Sequence, residues 1–235
     1  MLNGSRWINN QDSFTEHIKK DFQSLKNHKM SSTNRGYDRH KSDYYITPKT
    51  DVSYFLREFQ EKIGLDISKM NVLDPCCGGD DENDATYIHV IKEEYNPKQT
   101  CGIDIREDSK ADVIMDYLEC EKENMDNHDL IISNPPFYLA EEFIKKSLDL
   151  VQDNSYVVML LRLNFFGSAK RKTLFENNMP EYCFIHHKRI NFIPESMKRE
   201  MIKNGEKPQS GDSIEYAHFV WKKGVNNPFC KTFVI

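Results

Sequence analysis

The 235-residue sequence predicts an α/β protein built on a mostly parallel sheet covered on both faces by helices. Three observations predict it. Short apolar strand candidates alternate with helix candidates of amphipathic spacing from about residue 50 onward. Two of the apolar runs end in an acid, at Asp74 and Asp104, and the first continues into a glycine pair; parallel sheets bind ligands at such strand ends. The last part changes character: strand candidates 182–186 and 217–221 have no convincing helix between them, which predicts a closing antiparallel pair.

Residues 1–43 are polar, with eight Lys and Arg scattered among Ser and Asn, and form an arm ahead of a domain spanning 44–235. Val52, Phe55, Leu56, Phe59 and Ile63 recur at helical spacing, so a helix is expected there, capped by Thr50 or Asp51 and stopped by Gly64. Strands are expected over Asn71 to Leu73, Thr100 to Ile105, Asp112 to Met115, Asp129 to Ser133 and Tyr156 to Leu163. Helices are expected over Ala85 to Tyr95 and Leu139 to Val151. A polar insertion, 191–214, carries Pro194, Gly205, Pro208 and Gly211 and joins the final two strands.

Composition excludes several classes. At 235 residues one core is the economical reading, and the 14 Phe and 11 Tyr supply material for it. The longest apolar run, Tyr156 to Leu161, is far short of a membrane helix. Met1 to Asn10 lacks the apolar centre of a secretory signal, so a cytoplasmic location without membrane attachment is expected. Six cysteines with no C-x-x-C pair predict neither a zinc site nor a disulfide framework, and no metal is expected. The net charge of -5 conceals an asymmetry: residues 74–129 hold 17 acids against 5 Lys and Arg, whereas residues 162–207 hold 10 Lys and Arg against 5 Glu. One half of the chain is suited to phosphates and the other is not.

Four segments carry chemistry. Val72-Leu73-Asp74-Pro75-Cys76-Cys77-Gly78-Gly79-Asp80 runs from a strand into a glycine turn, where backbone passes close to a ligand and a following helix offers its amino terminus. An ordinary strand-to-helix turn has the same pattern. Thirty residues on, Gly102-Ile103-Asp104-Ile105 places a second acid at a strand end, suited either to ribose hydroxyls or to capping a helix. Asp116-Tyr117-Leu118 places a third acid 12 residues later, in position to lie beside a nucleoside base.

The fourth segment is the most informative: His128-Asp129-Leu130-Ile131-Ile132-Ser133-Asn134-Pro135-Pro136-Phe137. Two prolines after a buried strand stiffen the turn and offer no N–H, which fixes the Asn134 side chain and the Pro135 carbonyl as paired acceptors. The aromatic that follows can stack on a planar group. An aromatic amine held by two acceptors turns its lone pair toward an incoming methyl group, which suits N-methylation.

With these residues in hand, the sequence resembles the S-adenosylmethionine-dependent amino-methyltransferases, specifically the adenine-N6 DNA methyltransferases and more loosely their small phage-type members. Asp74-Pro75-Cys76-Cys77-Gly78-Gly79-Asp80 is similar to that family's D-P-x-x-G-x-G loop, with Asp80 in place of the last glycine. Tyr44-Tyr45-Ile46-Thr47-Pro48 is similar to its Y-x-T-P element, and Asn134 to Phe137 matches its catalytic Asn-Pro-Pro-aromatic motif in full. The resemblance implies a Rossmann-like class I methyltransferase fold of seven strands with the C-terminal antiparallel hairpin. It implies S-adenosylmethionine as cofactor, held by Tyr45, Thr47, Pro48, Asp74, Pro75, Cys76, Gly78, Asp104, Ile105, Asp116, Tyr117 and Asn134. The catalytic residues it implies are Asn134, Pro135, Pro136 and Phe137, acting on adenine that is single-stranded or flipped out of DNA.

For the polymer, Lys170, Arg171, Lys172, Lys188, Arg189, Lys198 and Arg199 are expected to contact phosphates, with Lys203 and Lys207 beside them. His186 and His187, next to Lys188 and Arg189, are expected on the same basic surface. Cys76 and Cys77 are not expected to act as nucleophiles, since they lie in the cofactor loop. Two alternatives stand beside DNA adenine: methylation of an RNA adenine or a protein glutamine, and a non-catalytic binding protein that keeps the fold. Only Asp80 favours the last.

Overall fold

The computed structural model describes residues 46–122, 125, 127–192, 199, 201–206 and 214–235. The expected arm, Tyr45, Lys198, Lys207 and most of the 191–214 insertion lie outside the described residues.

The first helix, α1 (Lys49–Ile63), buries Val52, Phe55, Leu56 and Phe59. It starts two to three residues earlier than a cap at Thr50 or Asp51 implies. Pro48 takes the N-cap with φ -61° and no side-chain cap, so neither Thr50 nor Asp51 plays that part. Asp51 instead sits in the first turn, where an acid complements the helix dipole. Gly64 ends the helix at φ 72°, donating its N–H to Gln60 O at 2.9 Å.

The alternation then proceeds through β1 (Asn71–Asp74), α2 (Thr86–Tyr95), β2 (Gln99–Asp104), β3 (Val113–Ile114), β4 (Leu130–Ser133), α3 (Ala140–Leu150), β5 (Tyr156–Arg162), α4 (Lys172–Asn177), β6 (Tyr182–Ile185), β7 (Tyr216–Lys222) and β8 (Lys231–Val234). The sheet has eight strands in the order β3-β2-β1-β4-β5-β7-β6-β8. Only β7 runs antiparallel to its neighbours: it pairs with β5 from Tyr156↔Lys222 to Arg162↔Tyr216, and with β6 from Tyr182↔Val220 to Ile185↔Ala217. The expected antiparallel pair of β6 and β7 is therefore present, with β7 wedged between β5 and β6. The eighth strand corrects the expected seven. β8 lies parallel to β6 at the edge and buries little of Lys231, Thr232 and Val234, so its four residues carry no apolar pattern to betray it.

Strand alternation builds two cores. Leu73, Ile131, Val157, Met159, Leu161, Phe219 and Trp221 face α3 and Leu174 of α4 on one side. Val72, Leu130, Ile132, Val158, Phe184 and Val220 face α1 and α2 on the other. A fully buried side chain of this size contributes roughly 1.5 to 3 kcal/mol, so the two layers fix each strand's register. Because β1, β2, β4, β5 and β6 share one direction, Asp74, Asp104, Ser133, Arg162 and Ile185 all arrive at one edge of the sheet, and β7 begins there at Tyr216.

Candidate active site

Asp74 ends β1 with 1% of its surface exposed. Its Oδ1 accepts from Ser133 Oγ at 2.7 Å and from Cys76 N at 3.1 Å. Its Oδ2 is buried and has no hydrogen-bond partner among the described residues. Burial pushes the carboxyl up to about 7; the bonds from Ser133 and Cys76 work against this, and the charge of Asp104 adds to it. A buried carboxylate with one orphaned oxygen is a receptor for a cationic donor.

The turn after Asp74 is held open by glycine. Gly78 and Gly79 both adopt positive φ, 65° and 81°. A Cβ on Gly79 would meet Ala85 N and Lys110 Cβ, each at 2.9 Å. Asp80 stands where the resembling loops have their last glycine, yet its Oδ1 accepts from Glu82 N, Asn83 N and Asn83 Nδ2, closing a turn of its own. Asp84 is bound by Lys49 at 2.6 Å and Lys110 at 3.2 Å, which hold its carboxyl at about 2. Asp80 and Asp84 are thus tied into local bonds rather than aimed as bare charge at the loop. Cys76 and Cys77 have thiols pushed up by burial and then by the charges of Asp74 and Asp104, the opposite of an activated nucleophile.

Asp104, 4% exposed at the end of β2, joins this loop by accepting from Gly78 N at 2.8 Å and Arg106 N at 2.9 Å through different oxygens. Ile105 beside it is 57% exposed, an apolar face at the sheet edge. Asp116 caps a short 3-10 turn, accepting from Leu118 N at 2.9 Å through one oxygen. The Tyr117 side chain corrects an expectation: its ring packs on Phe143 and its hydroxyl bonds Ser147 Oγ at 2.9 Å, so it belongs to the core and does not line the cleft.

Asn134 follows β4, with its Nδ2 donating to Thr47 Oγ1 at 3.1 Å. Thr47 is 4% exposed and precedes Pro48, so the segment entering α1 crosses directly to the Asn-Pro-Pro turn. Among the described residues nothing donates to Asn134 Oδ1 or to the Pro135 carbonyl, whereas the Pro136 carbonyl is taken by Leu139 N at 2.9 Å. Among the described residues both acceptors of this turn are open. Phe137 is half-buried against Tyr216, and the Arg162 guanidinium lies 5.0 Å from its ring centroid. Arg162 Nε is buried without a partner among the described residues. The sequence assigns Arg162 no role at the site, because its segment, Arg162-Leu163-Asn164-Phe165-Phe166, resembles the phage-type enzymes only loosely.

The basic candidates divide. Lys170, Lys172, Lys188 and Arg189 are exposed, Lys172 pairing with Glu176 and Arg189 with Glu215. Arg171 is drawn inward: it donates to Phe165 O at 2.9 Å and stacks 4.1 Å from the Phe165 ring centroid. Arg199 is exposed. His187 is exposed as expected, but His186 is 5% exposed and bonds His218, which removes it from the basic surface.

The sheet order, with a single antiparallel strand between the fifth and sixth and the buried acids Asp74 and Asp104 at the ends of the first two, decides the fold. It is the class I methyltransferase fold. A Listeria monocytogenes protein assigned to the class I S-adenosylmethionine-dependent methyltransferases superposes with a TM-score of 0.55 at 16% identity, over 94% of this chain and 73% of that one. The type IIG restriction endonuclease BpuSI matches with a TM-score of 0.53 at 13% identity, over 78% of this chain and 26% of its own length. The M protein of the type I restriction enzyme EcoKI matches at 0.51 and 11%, over 79% of this chain and 45% of that one. No family model and no curated protein matches the sequence. Among the described residues no group of His, Cys, Asp or Glu has the arrangement of a metal site, and no helix is long and apolar enough to cross a membrane.

Proposed function

We propose that the protein transfers a methyl group from S-adenosylmethionine to the exocyclic N6 amine of an adenine in DNA. The observation that carries this reading is the pair of open acceptors, Asn134 Oδ1 and the Pro135 carbonyl, on a proline-stiffened turn next to the Asp74 loop.

The donor set fits the cofactor part by part. Asp74 Oδ2, buried and unpaired, suits the methionyl ammonium. Asp104 keeps a lone pair on each oxygen for ribose hydroxyls beyond the two backbone bonds it accepts. Exposed Ile105 suits the face of an adenine ring, and the second oxygen of Asp116 suits its amine. When bound, this cofactor supplies a methyl group already activated by the sulfonium charge.

The chain's own residues do the rest. Asn134 Oδ1 and the Pro135 carbonyl accept the two hydrogens of the target amine and localise its lone pair along the attack line. Arg162 and Phe137 form one wall of the acceptor site. An adenine in a duplex reaches them only by leaving the stack. Exposed Lys170, Lys172 and Lys188, in the segments that follow β5 and β6, suit backbone phosphates. Two structures with the same fold belong to restriction enzymes, which supports DNA as the polymer.

The test is transfer from methyl-labelled cofactor onto DNA, RNA and protein in parallel, followed by nucleoside mass spectrometry of the DNA. N6-methyladenine is the expected product. Label found only in RNA or protein, or in no polymer, contradicts the reading.

A further inference from the structure

We propose that Arg162 binds a phosphodiester flanking the target adenine and so holds that nucleotide in the acceptor site. The inference rests on the methyl-transfer reading above and gives its acceptor site a contact with the sugar-phosphate backbone.

Arg162 ends β5 half-buried. Across the order β2-β1-β4-β5, the carboxyls Asp104 and Asp74 end the first two strands, Asn134 follows the third and Arg162 ends the fourth. The ligand edge thus passes from carboxyls to a cation, with the Asn-Pro-Pro turn between them. The Arg162 guanidinium makes no ion pair and no hydrogen bond with the described residues, and its Nε is buried without a partner. Tyr216 pairs with Arg162 across β7 and β5, and the acid next to it, Glu215, is taken by Arg189 at 3.3 Å. What Arg162 does touch is the motif aromatic: its Cζ lies 5.0 Å from the Phe137 ring centroid, and Phe137 packs on Tyr216 at 5.8 Å.

An N–H that has lost water and gained no protein bond is costly in the free protein, and an anion that reaches the guanidinium fork relieves the deficit. Stacking on Phe137 restrains the guanidinium plane, which favours two parallel bonds to one anion over a single loose one. Two anions enter this cleft in the methyl-transfer reading, the methionyl carboxylate and the phosphates of the polymer. Asp74 and Asp104 lie on β1 and β2, on the other side of Asn134 from β5, so Arg162 stands on the substrate side. Adenine itself is neutral, and the negative groups its nucleotide brings are the phosphates on either side of it. A nucleotide outside the stack has lost its stacking partners, and a charged bond to its backbone beside the Phe137 ring offsets part of that cost.

The experiment scans an oligonucleotide substrate with single methylphosphonates, which remove one phosphate charge at a time, against the whole protein, Arg162→Met and Arg162→Lys. In the unaltered protein a methylphosphonate at one position flanking the target adenine is expected to lower kcat/KM by about 10- to 100-fold, the scale for a hydrogen bond to a charged group. Arg162→Met shows the same loss on unmodified DNA, no further loss at that position, and a slope of log affinity against log salt reduced by about one. Arg162→Lys keeps the salt slope and recovers only part of kcat/KM, because the charge remains without the fork. Cofactor affinity stays within about threefold in both variants. An equal methylphosphonate penalty in the unaltered protein and Arg162→Met, or no penalty at either flanking position, would overturn the proposal. So would a parallel loss of cofactor affinity, which would assign Arg162 to the methionyl carboxylate. Should Arg162→Met not fold, the scan on the unaltered protein and Arg162→Lys decides. Absence of methyl transfer to DNA by the unaltered protein would overturn the function reading instead, and the same scan read by oligonucleotide binding still judges Arg162.

Discussion

Asn134 and Thr47, 87 residues apart in sequence, meet at 3.1 Å between Nδ2 and Oγ1. The bond ties the entrance of the first helix to the turn after the fourth strand and leaves Oδ1 of Asn134 open. It predicts that Asn134→Ala lowers methyl transfer by about 100- to 1000-fold, the scale for losing a preorganised polar group at a reacting centre. Cofactor affinity measured by calorimetry should change by no more than about threefold. A parallel loss of cofactor binding would place Asn134 in the cofactor pocket and not over the amine.

Asp74 supplies a proton-linked prediction. Its carboxyl sits at about 7 because burial opposes the charge, so near neutral pH part of the population is protonated before ligand binds. A cationic amino group against Oδ2 favours the carboxylate. Cofactor binding at about pH 6.5 should therefore release protons, seen as a dependence of the binding heat on buffer ionisation enthalpy. Asp74→Asn should abolish the release. An equal release in that variant would show that another group titrates.

His186 makes folding pH-dependent with a definite sign. Burial, and then the neighbouring charge of His187, lowers its pKa from 6.5 to about 4, and neutral His218 is its other close partner. Between those values the unfolded chain binds more protons than the native one, so stability contributed by the neutral ring is present above 6.5 and is lost as pH falls toward 4. The melting temperature should drop across that window, and His186→Gln should flatten the drop. A slope unaffected by the substitution would assign the acid sensitivity elsewhere.

Two glycines with similar backbone angles should respond differently to alanine. Gly64 has φ 72° but open space around a new Cβ, so Gly64→Ala carries only the cost of the left-handed backbone, about 1 kcal/mol. Gly79, at φ 81°, would also press a Cβ to 2.9 Å from Ala85 N and Lys110 Cβ. Gly79→Ala should cost roughly 2 to 3 kcal/mol by chemical denaturation and weaken cofactor binding, while Gly64→Ala leaves binding intact.

Much of this architecture was legible because it is written in local patterns. Val52 to Phe59 at helical spacing gave α1, and apolar runs ending at Asp74, Asp104 and Ser133 gave three parallel strands and the edge that gathers them. What escaped reading depends on partners far away in sequence. β8 exists because β6 offers a free edge, and its own residues stay mostly exposed. Tyr117, adjacent to a motif acid, looked like a cofactor residue until Ser147 and Phe143 of α3 claimed it. His186, beside Lys188 and Arg189, looked like surface charge, and only the antiparallel pairing of β6 with β7 puts it against His218. Arg171 was hidden in the same way, since nothing in a Lys-Arg-Lys run shows that the middle residue folds back on Phe165.

The most direct test of the central claim is the crystal structure of the protein with S-adenosylmethionine and a DNA oligonucleotide bearing an extruded adenine. The account predicts the methyl group between the Asp74 loop and the Asn134-Pro135 turn, with the adenine N6 within hydrogen-bond distance of Asn134 Oδ1 and the Pro135 carbonyl. A donor lodged away from Asp74 and Asp104, or an adenine amine engaging neither acceptor, would contradict it.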